Sequence, residues 1–234
     1  TDPRPRTMRQ NAVTQTISLV MMILSLAACS TSTIIDEYRE TSLDLELNGT
    51  EQVVIMGRRH AGEYETEPDF IDCIGHRLAN GGKVSVMPEQ QFLDSFYPWF
   101  EPRVAPLKLK RMSMMLNDPI ISERINSLSI RYLIWVDGST ETTEKSGSVN
   151  CALALGGGGC FGFTTWDKSA NYEATIWDLK QLDEEGRVKV RTEGSSYVLA
   201  VIAPIPFIAQ VQADACGGIG DRLKSFFSHT LPGS

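Results

Sequence analysis

The sequence predicts an α/β (α+β) protein with a mixed β-sheet, a β-α-β-α-β start, antiparallel hairpins in the second half and a C-terminal helix. Two observations predict this class. Up to residue 138, the short apolar runs VVIMG, VSVMP and RYLIWVDG alternate with segments of helical periodicity. After residue 148, segments of strand composition are separated by glycine-rich or polar turns, which is typical of antiparallel pairs.

The first predicted unit is a strand, a helix and a second strand. EQVVIMG at 51–57 is a short buried strand. A helix is predicted to begin at Thr66, with Asp69 three residues on, and to end at Asn80 before two glycines. KVSVMP at 83–88 is the second strand. Because strand crossovers are right-handed, we expect the first two helices on one face of the sheet.

The chain then leads to the third strand through further helices. A short amphipathic piece lies around Phe92, and 107–116 reads as a helix. Asp118 and Pro119 suit the cap and first position of another helix. IRYLIWVDG at 130–138 is the third and most apolar strand, so we expect it near the centre of the sheet.

The second half is predicted to be hairpins closed by a helix. A polar loop is expected over 139–148, then a hairpin around the four glycines that begin at 156, and a strand at 171–179. A turn at 183–186 precedes strand composition over 188–209. The last helix carries one apolar stripe, formed by Cys216, Ile219, Leu223 and Phe226.

The amino-terminal segment is predicted to be a secretory signal over residues 1–28. Three arginines precede an uncharged apolar run over 17–28, which is too short to span a bilayer as a stable helix. The run ends in Leu26-Ala27-Ala28-Cys29, which resembles the lipobox of bacterial lipoproteins. That resemblance implies cleavage before Cys29 and a covalent lipid on it, with firm anchoring by several acyl chains.

The resemblance also implies a location. Ser30 stands where an aspartate would favour the inner membrane in enterobacterial lipoproteins, so we expect the outer membrane, with the protein facing the periplasm. Residues 29–50 are polar with isolated apolar positions and are predicted to be a lipidated tether. Residues 51–230 are then a single disulfide-stabilised domain.

The charge of the chain excludes some partners. The 234 residues carry a formal net charge of −7, and residues 1–28 contribute three arginines and one aspartate, so the processed chain stands at −9. Nucleic acids and anionic bilayer surfaces both need a basic footprint, so neither is expected as an electrostatic partner.

The cysteines predict two disulfides. Besides Cys29, four cysteines remain in a chain delivered to an oxidising compartment, and four cysteines allow three pairings. Cys151 and Cys160 flank the glycines and face each other across the predicted hairpin, which leaves Cys73 of the first helix with Cys216 of the last. A phosphate-binding glycine loop needs a following Lys-Ser or Lys-Thr, and zinc favours CxxC spacing; the chain has neither here.

Strand character and order suggest a relationship to known envelope domains. With a lipobox and the strands VVIMG, VSVMP and RYLIWVDG, the chain resembles the α/β domain of the TolB amino-terminal region and of the curli secretion lipoprotein. It is also similar to uncharacterised proteobacterial lipoproteins of this size. The resemblance covers about residues 50 to 228 and implies a periplasm-facing envelope domain of this fold.

Catalytic motifs are missing from the sequence, and three candidate binding features remain. Arg58, Arg59 and His60 follow the first strand, where ligands bind in open α/β sheets, so they are candidates for binding an anion; the alternative is a solvated loop paired with nearby glutamates.

FYPWF places Tyr97, Trp99 and Phe100 on a proline-broken loop that suits a protein interface, with packing over a helix as the alternative. Trp166 and Trp177 suit sugar stacking or, more often in hairpins, cross-strand packing.

These features favour a non-enzymatic lipoprotein that binds another component of the envelope, and the expected partner is a protein. A homo-oligomer is the alternative assembly. No cofactor beyond the lipid on Cys29, no metal and no nucleic acid is expected. The competing hypothesis is an envelope enzyme or a small-ligand binder that acts on cell-wall sugar or an anion near Arg58 and Trp177.

Overall fold

A computed structural model describes residues 31–40, 45–59, 65–100, 109–154, 157–201 and 203–227. The chain divides into two compact units, where the sequence predicts one domain. The sheet–helix unit contains the described residues within 32–142, 169–193 and 210–227, and the hairpin unit contains Thr31 and the described residues within 143–168 and 194–209. The predicted signal and Cys29 lie outside the described residues.

The predicted mixed α/β class is confirmed. The described residues form a sheet of seven strands in the order β1-β6-β5-β4-β2-β3, with β7 paired to β6. The helices and strands, in chain order, are β1 (Thr31–Arg39), β2 (Gln52–Gly57), α1 (Pro68–Ala79), β3 (Val86–Met87), α2 (Glu89–Ser95), α3 (Leu109–Leu116), α4 (Pro119–Ser127), β4 (Ile130–Ala154), β5 (Gly157–Asp178), β6 (Asp183–Ala200), β7 (Pro204–Phe207) and α5 (Val211–Phe227).

The sheet is parallel on one side of β4 and antiparallel on the other. β2 pairs in parallel with β3 and with β4, with Val54 opposite Leu133 and Met56 opposite Trp135. On the other side, Gly138 of β4 lies so close to β5 that a Cβ there would stand 2.1 Å from the carbonyl oxygen of Asn171. Its φ of +141° also favours glycine, so both geometry and space fix this position.

Helices cover both faces of the sheet. Val54 and Met56 point to one face, where they join a buried cluster with side chains of α2, α3 and α4. Ile55 points to the opposite face, where it lies against α1. The prediction that the first two helices share a face is wrong. The crossovers from β2 to β3 and from β3 back to β4 run in opposite directions, so right-handedness places them on opposite faces.

Two disulfides join the cysteines that the sequence pairs. Cys73 of α1 is bonded to Cys216 of α5 in the sheet–helix unit, with Cα atoms 6.3 Å apart. Cys151 and Cys160 are bonded across the ends of β4 and β5 in the hairpin unit, with Cα atoms 4.0 Å apart. The first bridge fastens together the two helices that pack on the same face.

Residues 31–39 form a strand, which corrects the predicted tether over this part of the chain. β1 is antiparallel to β6: the hydroxyl oxygens of Thr33 and Thr192 are 3.0 Å apart, and the amide of Glu40 donates to the carbonyl of Glu185 at 3.0 Å. Ile35 lies against α5, beside Gly218. The polar composition hides this strand because its stability comes from pairing with β6 rather than from its own apolar content.

Two predicted connections also differ. The expected polar loop over 139–148 is part of β4, because its threonines and serines are compatible with a paired strand. The expected turn at 183–186 lies earlier, at 179–182, where the carboxylate of Asp178 accepts from the amides of Lys180 and Gln181. Leu182 takes a φ of 61° there, a conformation that the sequence does not signal.

The helix caps are mostly as predicted. Asp118 caps α4 by accepting from the amide of Ile120 at 2.9 Å, and Pro119 opens the helix. α1 ends at Asn80, as expected, but its N-cap is Glu67 rather than Thr66. The Thr66 hydroxyl instead donates to the carbonyl of Gly138 at 3.0 Å. No helix in the described ranges is long and apolar enough to cross a membrane.

Candidate functional site

A cleft opens in the sheet–helix unit at the carboxyl end of β2. Its volume is about 180 Å³, and α2 forms one wall while the start of β4 contributes to the floor. In open α/β sheets this edge is where ligands bind, and of the two arginines that the sequence predicts there, Arg59 lines the cleft. The apolar side chains that line the cleft are Met56, Leu93, Phe100 and Trp135.

Glu89 holds the polar side of the cleft together. It is the first residue of α2 and is only 8% exposed. Its carboxylate accepts from the amide of Gly57 at 2.9 Å and from Nη2 of Arg59 at 2.7 Å. The hydrogen bond to Glu89 raises the pKa of the Arg59 guanidinium above its usual value. The cleft therefore contains an ion pair whose acidic member is buried.

The two predicted anion-binding arginines have different surroundings. Arg59 lines the cleft and pairs with Glu89, while Arg58 lies 3.3 Å from the carboxylate of Asp137. The alternative from the sequence is a loop paired with Glu63, Glu65 or Glu67. Glu65 forms an antiparallel backbone bridge with Arg59, and its charge helps to raise the pKa of Arg59. Glu63 lies outside the described residues. His60 lies outside the described residues. With both guanidiniums next to carboxylates, the binding of an anion at this edge stays a prediction.

The three aromatic residues proposed as an interface are not equally accessible. Tyr97 is 70% exposed and stands at the mouth of the cleft. Phe100 is 2% exposed and meets Phe92 edge-on, with ring centroids 4.7 Å apart. Trp99 is half-buried against the same cluster. Phe100 therefore belongs to the core, which corrects its prediction as an exposed contact residue, and Tyr97 alone of the three is largely exposed.

A second carboxylate, that of Asp94, lines the cleft beside the Glu89–Arg59 ion pair. Asp94, five residues after Glu89 in α2, also lines the cleft, and its carboxylate accepts from the side-chain amide Nε2 of Gln90 at 2.9 Å. Among the described residues that line the cleft, Arg59 is the one basic side chain, against two carboxylates. These three described side chains together carry a formal charge of −1 beside an apolar floor. The sequence does not signal this, because Asp94 and Arg59 are far apart in the chain.

Trp177 is not available for stacking on a sugar. It is buried in the sheet–helix unit and lies parallel to Trp135, with ring centroids 6.2 Å apart and an interplanar angle of 7°. The neighbouring carboxylate of Asp178 is fully buried and pairs with Arg131. The cross-strand interpretation of Trp177 is therefore the one that the structure supports.

A second polar network lies on the opposite side of the sheet–helix unit. Tyr172 donates to Glu67 at 2.8 Å, and its hydroxyl is 2.7 Å from that of Thr140. Burial raises the pKa of Tyr172 well above its usual value, and the acceptor Glu67 adds to the effect. In the described part of the chain, no group of three or more histidine, cysteine or acidic side chains is placed to hold a metal ion.

The hairpin unit exposes apolar side chains. Tyr197 of β6 stacks on Phe207 of β7, with ring centroids 4.7 Å apart, and the ring of Phe163 of β5 lies tilted beside Tyr197 at 6.1 Å. The period of a strand places Phe161 and Leu199 on the same side. We call these five residues the aromatic face. Phe161 is 75% exposed, and Leu153 near the hairpin end is 94% exposed.

Comparison with known proteins gives a distant likeness. No protein-family model matches the chain, and no curated protein matches it. Two solved structures of the PelC dodecamer from Paraburkholderia phytofirmans, one of a point variant, are 13% and 12% identical to it. Each match covers 85% of this chain and 100% of the other, with a TM-score of 0.38. The resemblance to the TolB and curli domains stays a prediction.

Proposed function

We propose that the protein is a non-enzymatic interaction module of the bacterial cell envelope, anchored to the outer membrane by a lipid on Cys29 and facing the periplasm. One observation carries the binding role: an apolar cleft of about 180 Å³ at the end of β2, with Tyr97 exposed at its mouth. The lipobox at 26–29 supports the anchoring.

The chemistry of the cleft specifies the kind of partner. Its apolar floor accepts an aliphatic or aromatic side chain, and the exposed carboxylate of Asp94 at its edge favours a neighbouring positive charge. The partner is therefore a protein that presents an apolar side chain next to a lysine or arginine. Ligand pockets usually have about 300–1,000 Å³, so this smaller cleft suits a single side chain better than a sugar chain.

The experiment is crosslinking of the lipoprotein in intact cells, followed by identification of what it captures. We expect one dominant envelope protein, and we expect Tyr97→Ala and Leu93→Asp to reduce its capture at least about fivefold. Tyr38→Ala is the matched control, because Tyr38 is an exposed tyrosine on β1 away from the cleft. Phe100 is unsuitable for this test, since its removal would disturb the core.

Capture that survives both cleft variants would refute the docking role of the cleft, and self-crosslinks alone would indicate a homo-oligomer instead. Anchoring is tested separately by incorporation of labelled palmitate, which Cys29→Ser should abolish. Labelled protein in the outer-membrane fraction is the expected result, and unlabelled wild-type protein would refute the lipid anchor.

A small ligand is the second candidate, because Arg59 places a guanidinium in the cleft. A ligand that binds the native state must raise the melting temperature. Muropeptides and inorganic phosphate are the probes, and a concentration-dependent shift that Leu93→Asp abolishes would favour this function over protein docking.

A further inference from the structure

The hairpin unit has almost no core of its own. Among its described residues only Ser196, Ala200 and Ala209 are buried, and none of them is large. Its large apolar side chains remain at the surface, including Leu153, Phe161 and Phe163. Backbone pairing and the Cys151–Cys160 bridge hold the unit together. Contiguous exposed apolar surface of this kind marks an interaction site in most proteins.

The same segments carry no charge. No aspartate, glutamate, lysine, arginine or histidine occurs over 146–166 or over 194–209. Charged residues return at once outside these ranges, with Lys145 and Asp167 on the first hairpin and Glu193 on β6. A protein interface usually has a polar and charged rim, whereas the interior of a lipid layer excludes charge throughout. The absence of charge therefore favours lipid, rather than a protein, as what contacts the exposed apolar side chains of the hairpin unit.

The chain also places the predicted lipid near the uncharged segments. Because β1 is antiparallel to β6, the first residues of β1 lie beside the Thr192 end of β6. From that end the chain continues directly into 194–209. Cys29 precedes Ser32 by three residues, a span of at most about 11 Å in an extended chain. Residues 31–39 form a strand and not a long tether. The acyl chains predicted on Cys29 are therefore expected to enter the membrane close to the Thr192 end of β6.

We propose that the aromatic face of the hairpin unit lies in the lipid layer that holds the acyl chains of Cys29. This rests on the lipid anchoring of the proposed function and adds a second, independent membrane contact. The contact is hydrophobic rather than electrostatic, because these segments have no basic residue to attract anionic headgroups. It is therefore expected to be insensitive to salt and to lipid charge.

Photocrosslinking in intact cells tests this on the full chain. The photoreactive amino acid p-benzoylphenylalanine replaces Phe161, and in a matched protein it replaces Tyr97, an aromatic residue of similar exposure in the sheet–helix unit. Cells are fed an alkynyl fatty acid so that phospholipid adducts can be detected. We expect adducts with phospholipid at position 161, at least about tenfold above those at position 97.

Every other outcome overturns the proposal. A protein adduct at position 161 would identify a partner protein as the cover, a self-adduct would identify a second copy of the chain, and the absence of any adduct would show an uncovered surface. The palmitate label on Cys29 is read in the same cells. If Cys29 carries palmitate but position 161 gives no lipid adduct, the membrane contact of the aromatic face is refuted and the lipid anchor is not. If the wild-type protein carries no palmitate, the lipid anchor itself is refuted.

A second measurement does not depend on the photoreactive residue. The lipidated protein is reconstituted in phosphatidylethanolamine vesicles, with and without phosphatidylglycerol, and transfer to acceptor vesicles is followed. Burial of a phenylalanine is equivalent to about tenfold or more in partitioning, so Phe161→Ser should speed transfer at least about tenfold at any salt concentration. Tyr97→Ser is the control, and equal transfer rates for the two variants would contradict lipid contact.

Discussion

Arg59 donates from Nη2 to the carboxylate of Glu89 at 2.7 Å, and this contact joins the end of β2 to the first turn of α2. The same carboxylate accepts from the amide of Gly57. Because Glu89 is buried, its removal would leave a backbone donor and a guanidinium without their acceptor. The contact thus shapes the candidate cleft and stabilises the fold at once.

The first prediction concerns this carboxylate. Glu89→Ala should lower the free energy of unfolding by about 2–3 kcal/mol, less than for a fully buried pair because Arg59 is partly exposed to water. Urea denaturation followed by circular dichroism measures the loss. Glu123→Ala, an exposed glutamate on α4, should stay within about 0.5 kcal/mol of wild type. Equal effects of the two variants would contradict the structural role of Glu89.

The second prediction compares the two disulfides. In the chain-entropy model, the Cys73–Cys216 bridge, with a sequence separation of 143, contributes about 5 kcal/mol, and the Cys151–Cys160 bridge, with a separation of 9, about 2.5 kcal/mol. Denaturation of Cys73→Ala/Cys216→Ala should therefore occur at a clearly lower urea concentration than that of Cys151→Ala/Cys160→Ala. Hydrogen exchange should place the second effect in the hairpin unit alone. The reverse order of stabilities would refute this ranking.

Local sequence signals identified most of the elements. The hairpin around the glycines, both cysteine pairs and the cap at Asp118 all depend on residues within one element or on the redox compartment, so composition and spacing were sufficient. The apolar stripe of α5 was readable for the same reason, and its residues Ile219 and Leu223 are fully buried.

The errors share a different cause, since each depends on how separate elements pair or pack in the folded chain. β1 is held by β6, more than 140 residues away, and its own composition is polar. The helices lie on opposite faces because β3 and β4 flank β2 on opposite sides. Phe100 is buried because the cluster of α2, α3 and α4 closes over it, whereas the neighbouring prolines suggested an exposed loop.

The candidate cleft was predictable in position but not in chemistry. The carboxyl end of the first buried strand marks where ligands bind in such sheets, which is why the sequence predicts a role for Arg59 there. Glu89 was not recognised, because nothing in PEQQF signals a buried carboxylate that reaches back to β2. The charge-free stretches of the hairpin unit were visible in the sequence, but their importance depends on the missing core of that unit.

A third prediction concerns the cap of α4. Asp118→Ala should reduce the free energy of unfolding by about 1 kcal/mol, because the amide of Ile120 loses its side-chain acceptor. Asp118→Asn keeps a capping oxygen and should lower the free energy of unfolding by only about a few tenths of a kcal/mol. Urea denaturation of the three proteins measures this, and an equal loss in both variants would show that the charge, rather than the hydrogen bond, is what matters.

The fourth prediction is a pH dependence from Tyr172. Burial raises the pKa of this phenol above its usual value of about 10, so the folded protein keeps its proton at a pH where the unfolded chain loses it. The stabilisation is complete below about pH 10 and is lost as the pH rises above it, by up to about 1.4 kcal/mol per pH unit. Unfolding in urea at several pH values between about 9 and 11 measures this slope.

Two variants separate the titration from the hydrogen bonds. Tyr172→Phe should lower stability by about 1 kcal/mol at neutral pH, since the contacts to Glu67 and Thr140 are lost, but its stability should fall less steeply above about pH 10. Thr140→Val removes one contact and keeps the phenol, so it should retain the wild-type slope. If Tyr172→Phe is as alkali-sensitive as wild type, another group must carry the alkaline loss of stability, and the protonated Tyr172 hydroxyl has no special role in it.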